Sequence, residues 1–115
     1  MTTVVKFHKT GGPEVLSVEN ALVGKPKRGE ARVRHTAIGL NYIDTYHRSG
    51  LYPLPLPTGV GLEGAGVVEA LGAGVTHVKV GDRVAYAGGP PGAYAQERVM
   101  PANKLVKIPK GVSDE

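Results

Sequence analysis

Cysteine and tryptophan are absent from this 115-residue sequence, and its aromatic side chains are five tyrosines and one phenylalanine. The absence of cysteine excludes disulfide bonds, a cysteine nucleophile and any metal site built from thiolates. No stretch approaches the roughly 20 apolar residues of a membrane span, and residues 1–9 lack the apolar core of a secretory signal. We therefore expect a cytoplasmic protein with no membrane partner.

Glycine and proline are abundant, with 17 and 9 copies. Because they destabilise helix interiors by about 1 and 3 kcal/mol, they exclude a bundle of long helices. The sequence has no G-X-Y period and no low-complexity tract, so the glycines indicate turns between short strands. These features predict a mainly β fold, a barrel or sandwich of about seven strands, with residues 1–115 forming one domain.

The net charge is +4, and five basic residues fall between positions 25 and 34. Nucleic-acid binding by such a patch needs stacking aromatic side chains or a reader motif, and neither lies nearby. We therefore expect no nucleic-acid partner and predict that this segment is a solvated loop and strand face.

Short β-rich runs separated by turn residues dominate the sequence. Between residues 30 and 38, Ala31, Val33, His35 and Ala37 alternate with polar residues, which is typical of a half-buried strand. The other predicted strands are residues 3–7 and 15–18, which form a hairpin, 67–71, a run ending at 87, 94–99 and 105–108.

Residues 41–49 interrupt the alternation and favour one or two helical turns. Asn41 is a suitable N-cap, Asp44 falls in the first turn, and Gly50 is a plausible C-terminal stop. Residues 51–57 contain three prolines and are predicted to be extended.

Residues 59–64 match the dinucleotide motif G-x-G-x-x-G, and Asp82 follows at the spacing of a ribose-binding acid. A genuine fingerprint follows a strand and opens a helix. Here a proline-rich loop precedes the motif and the β-branched pair Val67-Val68 follows it. We therefore interpret its glycines as residues that permit close backbone approach and positive φ at a strand entry.

Residues 109–115 end in Ser113, a good N-cap, followed by two acids that suit a first helical turn, yet no helix follows. The segment is either a frayed polar tail or the approach to an element beyond Glu115. We favour the second interpretation.

Four segments together closely resemble the bacterial NADPH:quinone oxidoreductases, relatives of zeta-crystallin in the medium-chain dehydrogenase/reductase superfamily. They are residues 7–16 (FHKTGGPEVL), 41–52 (NYIDTYHRSGLY), 61–66 (GLEGAG) and 81–84 (GDRV). The resemblance covers essentially the whole chain with the motifs in order. It implies a GroES-like, partly open β-barrel with short helices, which in the family is followed by a Rossmann domain and a return segment. It also strengthens the expectation that the chain stops before its next element.

Zinc-dependent members of the superfamily carry a Cys ligand just after the strand that here leads into residues 39–41, and a His-Glu pair where this chain has Leu62-Glu63. Without cysteine, and with Leu62 in the histidine position, we expect no zinc. The four histidines (8, 35, 47 and 77) are scattered. We expect a structural role for Glu63, and turn chemistry with a possible ion pair for Asp82-Arg83.

The resemblance implies that residues 41–46 border NADPH near its nicotinamide end. The cofactor-contacting candidates are Asn41, Tyr42, Ile43, Asp44, Thr45 and Tyr46. The catalytic candidates are Asn41, Tyr46 and Tyr52, because a tyrosine ring packs on a planar quinone while its hydroxyl donates to a carbonyl. Alternative roles remain open: Asn41 as a helix cap, Asp44 as a first-turn acid and the tyrosines as core fillers.

The resulting hypothesis is the substrate-side domain of a zinc-independent enzyme that transfers electrons from NADPH to a quinone or similar small planar carbonyl compound. The resemblance implies a homodimer for the whole enzyme, and the 115 residues alone are expected to be inactive. One alternative is a reductase of activated alkenes such as enals in the same superfamily. Another is a non-catalytic GroES-like binding or assembly module, which predicts a stable oligomer without a cofactor.

Overall fold

A computed structural model describes residues 2–115. The strands are β1 (Thr2–Phe7), β2 (Ser17–Ala21), β3 (Glu30–Gly39), β4 (Thr58–Gly59), β5 (Glu63–Leu71), β6 (Arg83–Ala87), β7 (Glu97–Pro101) and β8 (Val106–Lys107). The helix α1 (Tyr42–Ser49) follows β3, and 3₁₀ turns occupy Pro13–Val15 and Ala102–Lys104.

The strands form two antiparallel sheets, ordered β2-β1-β4 and β7-β3-β5-β6-β8. Within residues 2–115 neither sheet closes on itself, which confirms the predicted mainly β, partly open architecture. No helix in this described part of the chain is long and apolar enough to span a bilayer.

The hairpin of β1 and β2 is confirmed, with Val5 opposite Val18. Its second strand begins at Ser17 rather than at the predicted Val15. The Val15 N–H donates to the Gly12 carbonyl at 3.1 Å, so Val15 belongs to a 3₁₀ turn. Such a turn follows from Pro13, whose fixed φ suits the first position of a helical turn.

Strand β5 lies between β3 and β6 and begins four residues before the predicted start at Val67. Gly66 pairs with His35 in this strand and approaches β3 too closely for a side chain. A Cβ at Gly66 would lie 2.1 Å from the Arg34 carbonyl oxygen. Gly64 and Gly66 are therefore strand residues, and the pairing of β3 with β5 shifts register between His35 and Ala37.

Two later strands are shorter than predicted. Residues 94–96 precede β7 and bond instead to β1, with the Val5 N–H donating to the Tyr94 carbonyl at 2.8 Å. The segment from Tyr94 onward thus crosses from one sheet to the other before β7 begins at Glu97, and β8 is reduced to Val106–Lys107.

The apolar core lies mainly against the five-stranded sheet. Its buried members are Ala31, Val33, Val68, Val78, Val84, Tyr86, Ala93, Met100, Ala102 and Leu105. Ala31 and Val33 are fully buried, as the alternation in β3 predicted. The core therefore fixes one face of β3, while most residues of the following stretch, 40–57, are exposed or half-buried.

The residues after β8 fold back onto the sheet, and no helix follows Ser113 in the described chain. Asp114 accepts hydrogen bonds from the Thr36 hydroxyl at 2.6 Å and from Arg83 Nε at 2.9 Å. These bonds, led by that from Thr36, lower the pKa of the Asp114 carboxyl. The segment is therefore attached through Asp114 rather than frayed.

Candidate functional site

Helix α1 carries most of the predicted site residues and confirms the helix expected at 41–49. Asn41 is the extended N-cap residue, and the Asp44 N–H donates to its carbonyl at 3.0 Å. The helix ends at Gly50, whose φ of 89° lies in the left-handed region that glycine adopts readily. Both ends thus form where the sequence indicated.

Asp44 is buried, with 4% of its surface exposed. Its Oδ2 atom accepts hydrogen bonds from the Asn41 N–H at 3.1 Å and from the Tyr94 hydroxyl at 2.6 Å. A buried carboxylate needs such partners, because an unpaired one is strongly disfavoured. Asp44 therefore lies on the buried side of α1.

Tyr94 was not a predicted site residue. Burial, together with the hydrogen bond to Asp44 and the Asp44 charge, raises the pKa of Tyr94 well above its usual value of 10. Its hydroxyl thus remains a donor at neutral pH. No local sequence signal could have indicated this pair, because 50 residues separate the two side chains.

Tyr46 and Tyr52 come together at the surface, the first on α1 and the second in the loop after it. Their ring centroids lie 5.4 Å apart at an interplanar angle of 70°, an edge-to-face contact. The Tyr52 N–H donates to the Tyr46 carbonyl at 3.2 Å, which holds the loop to the helix. With 37% and 51% exposure, the two rings are not core fillers.

The remaining candidates of α1 differ in exposure. Tyr42 is 82% exposed, Asn41 and Ile43 are half-buried, and the Thr45 hydroxyl donates within the helix to the Tyr42 carbonyl at 2.6 Å. Residues 40–56 as a whole expose an unusual number of large apolar side chains, namely Leu40, Tyr42, Tyr46, Leu51, Tyr52 and Leu56. A contiguous apolar patch is typical of a binding surface, so these residues are the candidates for one.

A groove of about 720 Å³ lies beside this surface. It extends from Val5 of β1 past His35 and Ile38 of β3 to Leu40, directly before the helix cap. None of the predicted site residues lines it. The groove and the tyrosine pair are therefore separate features that approach each other at residues 40–41.

A partly buried polar network that includes His35 of β3 was also not anticipated. His35 Nδ1 donates to the Ala95 carbonyl at 2.8 Å, and the Tyr86 hydroxyl lies 2.7 Å from His35 Nε2. Arg98 Nη1 donates to the same hydroxyl at 3.2 Å. Burial lowers the pKa of His35 and the Arg98 charge adds to this, against an opposing contribution from the Ala95 hydrogen bond.

Among residues 2–115 no group of three or more His, Asp or Glu side chains could hold a metal ion. The Glu63 carboxylate packs over Gly39, where a Cβ would lie 1.7 Å from its Oε1 atom.

Asp82 accepts a hydrogen bond from the Lys79 N–H at 2.8 Å and lies 3.6 Å from Lys107 Nζ, which gives it the predicted turn and ion-pair roles.

The G-x-G-x-x-G match at residues 59–64 is confirmed as unrelated to a nucleotide fold. It leads into strand β5 rather than a helix, and every described strand pair is antiparallel. Its glycines make room instead: Gly61 has a φ of 96°, and a Cβ there would lie 2.5 Å from the Tyr94 ring.

Residues 27–110 match the family of the alcohol dehydrogenase GroES-like domain, and the chain belongs to this family. The predicted fold family is thereby confirmed.

Two similar proteins are oxidoreductases. The chain is 55% identical to a quinone oxidoreductase of Pseudomonas aeruginosa, covering all of this chain and 36% of that protein. It is 50% identical to 2-haloacrylate reductase of a Burkholderia species, covering 96% of this chain and 34% of that protein.

The solved structure of Escherichia coli quinone oxidoreductase complexed with NADPH is similar throughout, with a TM-score of 0.95 at 48% identity. It covers 98% of this chain and 35% of the solved chain. The chain thus spans about a third of the length of these relatives.

Proposed function

We propose that this chain provides the substrate-side face of a zinc-independent, NADPH-dependent quinone oxidoreductase. The observation that carries the proposal is the exposed edge-to-face pair formed by Tyr46 of α1 and Tyr52 of the loop that follows it. The relatives named quinone oxidoreductase support it, as does the relative solved with NADPH.

The surface chemistry suits a small planar carbonyl compound. An aromatic ring packs well against a quinone ring, and a tyrosine hydroxyl can donate to a quinone oxygen. We assign these roles to Tyr46 and Tyr52, and we assign to the Asn41 amide a hydrogen bond to a carbonyl group of substrate or cofactor. The protein contributes orientation and hydrogen bonding.

The residues of this chain fit only the nicotinamide end of NADPH. The part-exposed Asn41 amide and the exposed Tyr42 ring suit a carboxamide and a flat ring, whereas no described βαβ unit could hold the pyrophosphate. When bound, NADPH supplies the electrons for reduction. Ile43, Asp44 and Thr45 belong to the same proposed contact segment, with the buried Asp44 acting through the helix cap.

Zinc-independence belongs to the proposal and rests on the donor set. The chain has no cysteine, and Leu62 precedes Glu63 where zinc-dependent relatives have histidine. Without a metal to polarise the carbonyl oxygen, hydrogen-bond donors must stabilise its developing charge. Tyr46, Tyr52 and Asn41 are the donors that we assign to this role.

A second candidate function is reduction of an activated alkene. The 50% identity to 2-haloacrylate reductase favours it, because a haloacrylate is an alkene conjugated to a carboxylate. Both reactions use the same surface, and the loop at residues 51–57 would decide between a flat quinone and a smaller anionic alkene.

The test is steady-state NADPH oxidation by the protein expressed from its complete reading frame, with a quinone panel and an enal and 2-haloacrylate panel. We expect the highest kcat/KM with a quinone. The 115-residue chain alone should bind NADPH weakly and show no turnover. Light scattering on the complete protein tests the proposed homodimer.

Substitutions Tyr46→Phe and Tyr52→Phe remove the two hydroxyls and keep the rings. We expect kcat/KM for the quinone to fall about tenfold for each, as for one lost hydrogen bond to the reacting carbonyl. Leu22→Ala, which truncates an exposed apolar residue just after β2, is the control. Preference for haloacrylate over every quinone would support the second function, and turnover by the 115-residue chain would contradict the need for further sequence.

A further inference from the structure

Two glycines of the 59–64 segment let the loop before β7 lie directly against it. A Cβ at Gly59 would be 2.9 Å from the Gly92 Cα atom, and a Cβ at Gly61 would be 2.5 Å from the Tyr94 ring. The Gly92 N–H donates to the Gly61 carbonyl at 3.0 Å and the Tyr94 N–H to the Val60 carbonyl at 2.8 Å. The glycines thus provide the space in which Tyr94 is seated.

Tyr94 connects three parts of the fold. Its ring lies on Gly61, its carbonyl accepts from the Val5 N–H of β1, and its hydroxyl donates to Asp44 Oδ2 of α1. Because burial and the Asp44 carboxylate raise the pKa of Tyr94, this hydroxyl keeps its proton at neutral pH. The hydroxyl is therefore available as the donor to Asp44 at neutral pH.

The Asp44 atom that receives the Tyr94 hydroxyl also receives the Asn41 N–H. The hydrogen bond from Tyr94 thus fixes the carboxylate that holds the cap of α1. Tyr46 lies two residues after Asp44 and points outward to Tyr52. A shift of Asp44 would consequently move the cap and the tyrosine pair together.

We propose that Tyr94, seated on Gly61, is a positioning residue that sets the orientation of Asn41 and Tyr46 through Asp44. In this proposal Tyr94 acts on the substrate site through Asp44 and not by contact with the substrate. The inference rests on the proposed function for its kinetic consequence, but its structural claim is independent of that function.

The decisive variant is Tyr94→Phe, which keeps the ring on Gly61 and removes only the hydroxyl. In the protein from the complete reading frame, KM for the quinone should rise about tenfold while kcat changes less, because misplacement weakens substrate positioning. In the 115-residue chain, the resonance of the Asn41 backbone N–H proton should shift. The nuclear Overhauser contacts between the Tyr46 and Tyr52 rings should weaken. An unchanged KM with an unchanged Asn41 resonance would overturn the proposal.

Tyr86→Phe is the matched control, since it removes a part-buried hydroxyl bonded to His35 and Arg98. We expect it to lower the melting temperature but to leave the quinone KM and the Asn41 resonance unchanged. If Tyr86→Phe reproduces the effects of Tyr94→Phe, a general loss of fold stability is the cause and the proposal is wrong. In an Asp44→Ala background, Tyr94→Phe should add little, because its acceptor is already gone.

The two proposals fail in different ways. A complete protein that reduces no quinone refutes the proposed function, while the Asn41 resonance and the Tyr46–Tyr52 contacts still decide the positioning claim. Quinone turnover with a Tyr94→Phe variant indistinguishable from wild type refutes only the role of Tyr94.

Discussion

The ring of Tyr52 meets that of Tyr46 edge to face, with centroids 5.4 Å apart, although one residue lies in a helix and the other in the loop that follows. The contact joins the two side chains to which we assign substrate binding. Since the Tyr52 N–H also donates to the Tyr46 carbonyl, backbone and rings hold the same arrangement. The pair is therefore organised before any ligand arrives.

Removing one ring should disorder the other. In Tyr52→Ala we expect the unfolding free energy to fall by about 1 kcal/mol, because the ring contact is lost. The Tyr46 side-chain resonances should broaden and the quinone KM should rise. Leu51→Ala, which truncates the neighbouring exposed residue, provides the comparison for the loop. If Tyr46 is equally ordered in both variants, the rings do not organise each other.

Gly61→Ala should destabilise the fold more than an alanine at another left-handed glycine. Gly81 has a similar φ, 92° against 96°, but open space around its Cα. We expect Gly81→Ala to lower the unfolding free energy by about 1 kcal/mol from backbone strain alone. Gly61→Ala should lose about 1–3 kcal/mol more from its overlap with the Tyr94 ring. Urea unfolding measures both, and equal losses would show that the ring moves aside freely.

His35 should make stability depend on pH on the mildly acidic side. Burial lowers its folded pKa below the ordinary 6.5, so the unfolded chain takes up a proton before the folded chain does. The unfolding free energy should therefore fall as pH drops from about 6.5 toward the folded pKa. Protonation also makes Nε2 a donor that faces the Tyr86 hydroxyl, which already accepts from Arg98.

The measurement is the urea midpoint between pH 5 and 8 for wild type and His35→Gln. The variant should be less stable at pH 8 but show a shallower decline in acid. Lys9→Gln, which changes an exposed side chain, should keep the wild-type decline. A His35→Gln curve parallel to that of wild type would assign the pH dependence to other groups.

Asp114→Asn should loosen the segment after β8. It removes the charge that Arg83 pairs with at 2.7 Å and weakens the bond from Thr36. We expect faster hydrogen–deuterium exchange in residues 109–115, whereas Glu115→Gln should leave it unchanged. Because the pKa of Asp114 is lowered, wild type should keep this contact near neutral pH and lose it only as pH falls below 3.8 through the folded value.

Hydrophobic periodicity and helix-end residues predicted the elements whose faces and bounds depend on residues adjacent in sequence. The alternation of β3 gave its buried face, with Ala31 and Val33 inside, because a strand places alternate side chains on opposite faces. Asn41 and Gly50 marked the ends of α1, because helix ends need groups that the adjacent residues supply. Strand starts were less accurate at Glu63 and Glu97, where pairing with distant strands decides the boundary.

The candidate site was predicted only in part. Residues 41–52 were proposed from their resemblance to a family and stay a prediction, and the contact of Tyr46 with Tyr52 is consistent with their short separation in sequence. The burial of Asp44 by Tyr94 and the network of His35 with Tyr86 could not be found, because each pair is about 50 residues apart in sequence. Side chains that meet across sheets leave no periodic signal.

By itself, the sequence determined the chemistry that is available: no thiolate, an abundance of turns, and tyrosines as the aromatic groups near α1. These properties depend on residue type alone. Only the tertiary structure decided that Gly61, in the 59–64 segment, leaves room for the Tyr94 ring. It also decided that Asp44 is buried while Tyr46 is exposed. Those outcomes depend on which distant segments the two sheets bring within hydrogen-bond distance.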